Sequence, residues 1–156
     1  MLSIDVPGKG MLNLKYIVLD YNGTIAFDGY LIPGVKERLN QLSKFLSIYI
    51  LTADTFGKAG NECKVINGEL SILTQPIGVE EKEKFIIKLG AENVVAVGNG
   101  NNDNLMLLRA GLGIVVLGPE GASVKAIQNA DVMVKDIGEA LDLLLNPKRL
   151  IATLRE

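Results

Sequence analysis

Ile17, Val18 and Leu19 stand side by side in a short apolar run that stops abruptly at Asp20, and no other stretch constrains the fold as tightly. Three large apolar residues in succession suit a strand buried on both faces, as in the middle of a parallel sheet. An acid at the carboxyl end of such a strand lies where open α/β sheets place their ligands. Gly23 lets the backbone turn tightly behind it, leaving amide N–H groups free to face an anion. One strand ending in an acidic turn is ordinary. Here the arrangement recurs twice: Ile48–Leu51 runs into Thr52, and Val94–Val97 runs into Gly98–Asn99–Gly100–Asn101–Asn102–Asp103.

Strand patterns alternate with helical ones along the whole chain. This predicts a Rossmann-like three-layer α/β sandwich, a mostly parallel sheet with helices on both faces. Ile4–Val6 reads as a short edge strand stopped by Pro7–Gly8. Asp28–Gly29 between two apolar triplets predicts a small flap hairpin over about 24–32. After Pro33–Gly34, Val35, Leu39, Leu42, Phe45 and Leu46 keep a helical period. Asp54 or Thr55 is expected to cap the short segment after the strand that ends at Thr52. A third strand is expected at Leu70–Thr74, stopped by Gln75–Pro76, and a helix over Val79–Leu89 closed by Gly90. Helix from about Asn104 to Arg109, strand Gly113–Leu117, helix around Ala122–Gln128 and strand Asp131–Val134 follow. Asp136 then caps a helix carrying Ile137, Ala140, Leu141, Leu144 and Leu145, interrupted by Pro147. No repeat or linker divides the chain, so 1–156 reads as one domain.

Composition narrows the chemistry. Lys and Arg number 16 against 18 Asp and Glu, a net charge of −2 that leaves no electrostatic footprint for nucleic acid or a membrane surface. There is no histidine and one cysteine, Cys63, which excludes Ser-His-Asp and Cys-His catalysis, ordinary zinc sites and an intrachain disulfide. Cys63 is expected to serve as a small buried hydrophobe. A lone cysteine, an N-terminus unlike a signal peptide and the lack of a run near ~20 apolar residues predict a soluble, cytoplasmic protein.

In a parallel sheet the three strand ends share one edge. An acid, a hydroxyl and a Gly/Asn/Asp loop gathered there suit a phosphate and a divalent cation. Mg²⁺ takes hard oxygen ligands, typically one or two carboxylates with phosphate and water. Asp20 and Asp103 are the candidate carboxylates. Taken singly, Thr52 also fits a turn residue and Asp103 a helix cap. A phosphate site wants a fixed positive charge as well. Lys82 shares the face of Phe85, Ile86 and Leu89, whereas Lys84 pairs with Glu80 and Lys88 on the solvent side, so Lys82 is the better candidate and Lys84 remains the alternative.

Asp20–Tyr21–Asn22–Gly23–Thr24 resembles the first motif of the haloacid dehalogenase superfamily, D-x-D-G-T in its phosphatases and D-K-T-G-T in P-type ATPases. Thr52 is similar to the second motif, Lys82 falls where the third-motif lysine would, and Gly98–Asp103 resembles the fourth motif, G-D-G-x-N-D. The four lie in the correct order, and the flap sits where the family has one. The resemblance implies that Asp20 attacks phosphorus to form an aspartyl-phosphate, while Thr52 and Lys82 hold the phosphoryl oxygens. It also implies Mg²⁺ between Asp20, the main-chain carbonyl at Asn22 and the side chains of Asn99 and Asp103.

Two departures shape the expected activity. Asn22 stands where the phosphatases have an acid/base aspartate, and Asn99 where the family has a metal-binding one. An amide cannot protonate a departing alkoxide, so alkyl phosphates should be poor substrates, while acyl phosphates and phosphoanhydrides leave without protonation. Asn99 removes one negative charge, which should weaken Mg²⁺ binding. Both Asn22–Gly23 and Asn99–Gly100 are also the kind of pair prone to deamidation. No cap domain fits between the motifs, so a partner protein, a second copy of the chain or a large substrate is expected to close the site. The expected partner is a small phosphorylated substrate. The alternative is a weakly active or non-catalytic relative, a phosphate- or nucleotide-binding regulatory module.

Overall fold

A computed structural model of the chain describes residues 1–54, 56–73 and 78–156. The strands are β1 (Leu2–Val6), β2 (Gly10–Leu14), β3 (Tyr16–Asp20), β4 (Ala26–Phe27), β5 (Tyr30–Leu31), β6 (Ser47–Thr52), β7 (Glu69–Ile72), β8 (Val94–Gly98), β9 (Leu112–Val116) and β10 (Val132–Val134). The helices are α1 (Val35–Leu42), α2 (Ala59–Glu62), α3 (Val79–Leu89), α4 (Asn104–Arg109), α5 (Val124–Gln128), α6 (Ile137–Leu145) and α7 (Pro147–Leu154).

Six strands form one sheet in the order β10-β9-β8-β3-β6-β7, every neighbouring pair parallel. The chain builds outward from β3 through β6 to β7. It then crosses back over α3 to place β8 on the other flank of β3. The strand order therefore reverses at β3 and β8, which opens a crevice at their carboxyl ends. Asp20 ends one of these strands and Gly98 the other.

The central strand is buried on both faces, as its unbroken apolar run requires. Ile17 and Leu19 pack with α1 and α6 residues such as Leu39 and Leu141, while Val18 packs on the opposite face with Ile86 of α3 and Met106 of α4. These are the three layers expected from the sequence. Cys63 lies in the first core beside Ala59 and Ile66, and burial, with lesser contributions from Glu62 and Asp54, pushes its thiol up to about 11. It is packing, not a nucleophile.

Four local expectations need correction. Ile4–Val6 is no edge of the main sheet: β1 pairs antiparallel with β2, a strand the pattern did not reveal, in a separate hairpin. The turn at Pro7–Gly8 folds the chain back, Lys9 N–H donating to Val6 O, and Ile4, Val6 and Leu14 enter the core by themselves. Pro147 does not merely interrupt a helix but opens a second one, its missing N–H being no loss at a first helical position. Strand β9 sits one residue earlier than expected, and α5 begins after Ser123, whose hydroxyl caps it by accepting from Ala126 N–H. Asp54 accepts from Ala59 N–H at the start of α2, a cap-like role; Thr55, Thr74 and the Gln75–Pro76 stop lie outside the described residues. No helix among the described residues is long and apolar enough to cross a membrane.

Candidate functional site

The sheet register brings the motif residues together. Asp20 pairs with Leu51, so Thr52 stands one residue farther out on β6, and Leu19 pairs with Val97, so Gly98 ends beside Asp20. Helix α3 lies across this edge. Its period turns Lys82 inward with Ile86, and the side chain, 1% exposed, reaches the end of the sheet. There Lys82 Nζ donates to Asp20 Oδ1 and to Asp103 Oδ1, each at 2.6 Å. Lys84 points outward to Glu80 at 3.6 Å, both well exposed. Of the two lysines, the structure brings Lys82 to the site.

The triad carries a net charge of −1, two carboxylates against one ammonium. Burial pushes the Asp20 carboxyl up to about 6; Asp103 adds to the rise and Lys82 opposes it. Burial alone would lower the Lys82 ammonium. The charges of Asp20 and Asp103 and their hydrogen bonds outweigh it and hold the group above the ordinary lysine value. Removing Lys82 therefore leaves two buried carboxylates facing each other. Lys82→Met is expected to destabilise the metal-free protein by about 3–5 kcal/mol near neutral pH, read as a shift in urea unfolding. The loss should shrink on acidification, as one carboxyl takes up a proton. Lys84→Met should stay within about 0.5 kcal/mol.

Asp103 is fully buried. Its Oδ2 accepts from the backbone N–H groups of Asn99 and Gly100, both at 2.9 Å, while Oδ1 takes Lys82. It thus braces the 98–103 loop and the lysine from beneath. Thr52 Oγ1 accepts from Asp54 N–H at 2.9 Å, which leaves its O–H available to donate toward a ligand. Thr24 Oγ1 lies 3.2 Å from both Asp20 Oδ2 and Asn99 Oδ1, linking the first and fourth motifs.

The amides behind Gly23 are not free, contrary to expectation. Gly23 N–H donates to Ala26 O, and Thr24, Ile25 and Ala26 N–H all donate to Tyr21 O. The loop needs those bonds to hold its tight turn, with Gly23 at φ 81°. The Asn99 and Gly100 amides are on Asp103, and an anion here would meet Lys82 and Thr52.

These groups surround a cavity of about 230 Å³ lined by Asp20, Asn22, Thr52, Lys82, Asn99 and Glu120, among others. Asn22 Oδ1 is buried and has no hydrogen-bond partner. An orphaned buried oxygen in a pocket with a carboxylate and further amides fits a hard, oxygen-seeking cation such as Mg²⁺. No three His, Cys, Asp or Glu side chains among the described residues form a metal cluster, so a cation here would lean on few carboxylates and many neutral donors. Sequence reasoning missed Glu120, from the turn after β9, as a pocket wall, while Asn102 comes from the expected 98–103 loop. A rim carboxylate on a Gly-Pro-Glu-Gly turn leaves no periodic signal.

An acid, a lysine and a hydroxyl meet at the switch point of the parallel sheet. No protein-family model matches the chain. An uncharacterised protein of Methanocaldococcus jannaschii is 53% identical over 79 residues, covering 48% of this chain and 85% of its own length. Phosphoserine phosphatase of Archaeoglobus fulgidus is 44% identical over 63 residues, 35% of this chain and 18% of the enzyme. A soluble P-type ATPase-like phosphatase of M. jannaschii is 27% identical over 123 residues, 77% of this chain and 45% of its own. The structure of 3-deoxy-D-manno-octulosonate 8-phosphate phosphatase from Moraxella catarrhalis, with magnesium and phosphate, shares the fold at a TM-score of 0.72 and 19% identity, covering 92% of this chain and 95% of that one. The chain shares its fold with solved phosphatases and stretches of its sequence with two phosphatases, and it is similar to the haloacid dehalogenase superfamily.

Proposed function

We propose that this chain is a phosphohydrolase that works through a covalent phosphoryl group on Asp20 and prefers activated phosphates, acyl phosphates and phosphoanhydrides. The observation that carries the reading is Lys82, held between Asp20 and Asp103 at the rim of a pocket whose acid/base position is an amide. A phosphoryl group entering the pocket meets the Lys82 ammonium and the Thr52 hydroxyl on its oxygens. The Asp20 carboxylate attacks phosphorus, a new O–P bond forms, and the bond to the leaving group breaks with its electron pair. An acetate or phosphate departs stably without a proton. An alkoxide does not, and Asn22 cannot give it one. Water then attacks the same phosphorus, releasing phosphate and returning Asp20 as a carboxylate. Mg²⁺, held by Asp20, Asn22 and Asn99 with Asp103 bracing the loop, would neutralise phosphoryl charge as it develops.

Asn22 affects the second half as well, because no side chain there can take a proton from the attacking water. The phosphorylated protein should therefore accumulate. With acetyl phosphate and Mg²⁺, a burst of acetate close to one per protein followed by slower turnover is expected, with acid-stable, alkali-labile phosphate on the chain. p-Nitrophenyl phosphate should turn over more slowly and an alkyl phosphate hardly at all. If acetyl phosphate leaves neither labelled protein nor free phosphate, the reading is wrong. The same Asn22 also supports a second reading, a module that binds phosphate without turning it over. Beryllium fluoride bound with Mg²⁺, and no product from any substrate, would select it. In either case the pocket opens outward, with no cap among the described residues, which leaves its mouth to the substrate, a partner or a second copy of the chain.

A further inference from the structure

We propose that Glu120 serves the cation pocket as an outer carboxylate, facing the water shell of a divalent cation seated at Asp20, and that Asn99 holds it in place. The proposal rests on the cation reading above and deepens it. Charge comes first. Among the described residues lining the cavity, Asp20, Lys82 and Glu120 are the only charged ones; Asn22, Asn99 and Asn102 offer neutral amides. Lys82 is already engaged by Asp20 and Asp103. Glu120 adds a second carboxylate to the described lining beside Asp20, and its own makes no hydrogen bond or ion pair with any described residue.

Placement comes next. A Cβ on Gly23 would collide with Glu120 Oε2 and lie 2.7 Å from Asn99 Nδ2, so carboxylate and amide converge on the loop that carries Asp20. The turn beneath Glu120 packs just as closely: a Cβ on Gly118 would lie 2.9 Å from Gly23 O. Asn99 fastens this turn from the other side. Its Nδ2 donates to Gly121 O at 2.9 Å, and its backbone carbonyl accepts from Ser123 N–H at 2.9 Å. An aspartate at position 99 has no N–H to donate and would repel Glu120. The amide at 99 and the acid at 120 are therefore one arrangement, with the charge carried by the turn instead of by the loop.

Among the described residues no three acids are grouped to hold a metal directly, so the proposed contact of Glu120 runs through water. Mg²⁺ keeps several of its waters, and a fixed carboxylate can accept hydrogen bonds from them. Glu120 also faces any bare anion with the wrong sign. It should disfavour phosphate until a cation is present.

Mn²⁺ binding, followed by electron paramagnetic resonance of the free ion, and inorganic phosphate binding, followed by calorimetry, test this on the full chain without any assay of turnover. Glu120→Gln is expected to weaken Mn²⁺ binding roughly tenfold, to tighten phosphate binding in the absence of metal, and to leave the melting temperature unchanged. Glu120→Asp should fall between. Wild-type Mn²⁺ affinity in Glu120→Gln, with the expected loss in Asp20→Asn, would overturn the role of Glu120 and leave the cation reading standing. No Mn²⁺ binding by the wild type, or none lost in Asp20→Asn, would overturn both.

Discussion

Asp20→Asn is expected to reduce acetyl phosphate turnover by at least about 10³, to abolish acid-stable labelling of the protein, and to leave the fold at least as stable as before. The last part separates a nucleophile from a structural residue. Burial and Asp103 push the Asp20 carboxyl up to about 6, well above its unfolded value. The fold thus disfavours the ionised form, and at neutral pH Asp20 lowers stability; that penalty fades as pH falls and the carboxyl protonates. An asparagine keeps an oxygen for Lys82 and removes the repulsion with Asp103, which retains Lys82 at 2.6 Å. Melting curves and turnover, measured on one preparation at pH 7, should move in opposite directions or not together. A loss of activity that tracks a loss of fold would assign Asp20 to structure.

The second large effect runs the other way. Asn22→Asp should raise turnover of an alkyl phosphate by about 10²–10⁴ and shorten the life of the phosphorylated protein, while the first step with acetyl phosphate changes little. Asn22 Oδ1 is buried without a partner, so the exchange to a carboxyl alters charge and not shape. A carboxyl there can donate its proton to the leaving oxygen and then take one from water. An equal gain on acyl and alkyl phosphates would show that position 22 acts on binding instead. Because Asn22 precedes Gly23, intact mass should accompany each assay, a one-dalton gain marking deamidated protein.

How much of this was legible beforehand follows from how local each signal is. The apolar triplet before Asp20 placed β3 in the middle of the sheet, since only a strand covered on both sides carries no polar face. The inward period of α3 distinguished Lys82 from Lys84, though not which groups it would meet. The β1–β2 hairpin escaped because its second strand, Gly10–Leu14, carries Gly10 and Asn13 among its apolar residues and pairs across only a short turn. Asp103 read as either cap or ligand. Its partners lie on α3 and on its own loop, and the choice between roles is made by contacts that spacing does not encode.

The sequence by itself determined the class of fold, the order of the strand ends and the residue types gathered at them, because burial period and turn chemistry are written in neighbouring residues. The tertiary structure decided which of those residues touch. The crossover of α3 from β7 to β8 seats Lys82 between two acids, and the register of β3 with β6 and β8 fixes Thr52 and Gly98 beside Asp20. Glu120 reaches the pocket only because the turn after β9 is tied to Asn99 and pressed on Gly23. Charge acts through space, and its balance in the pocket is set where distant segments meet.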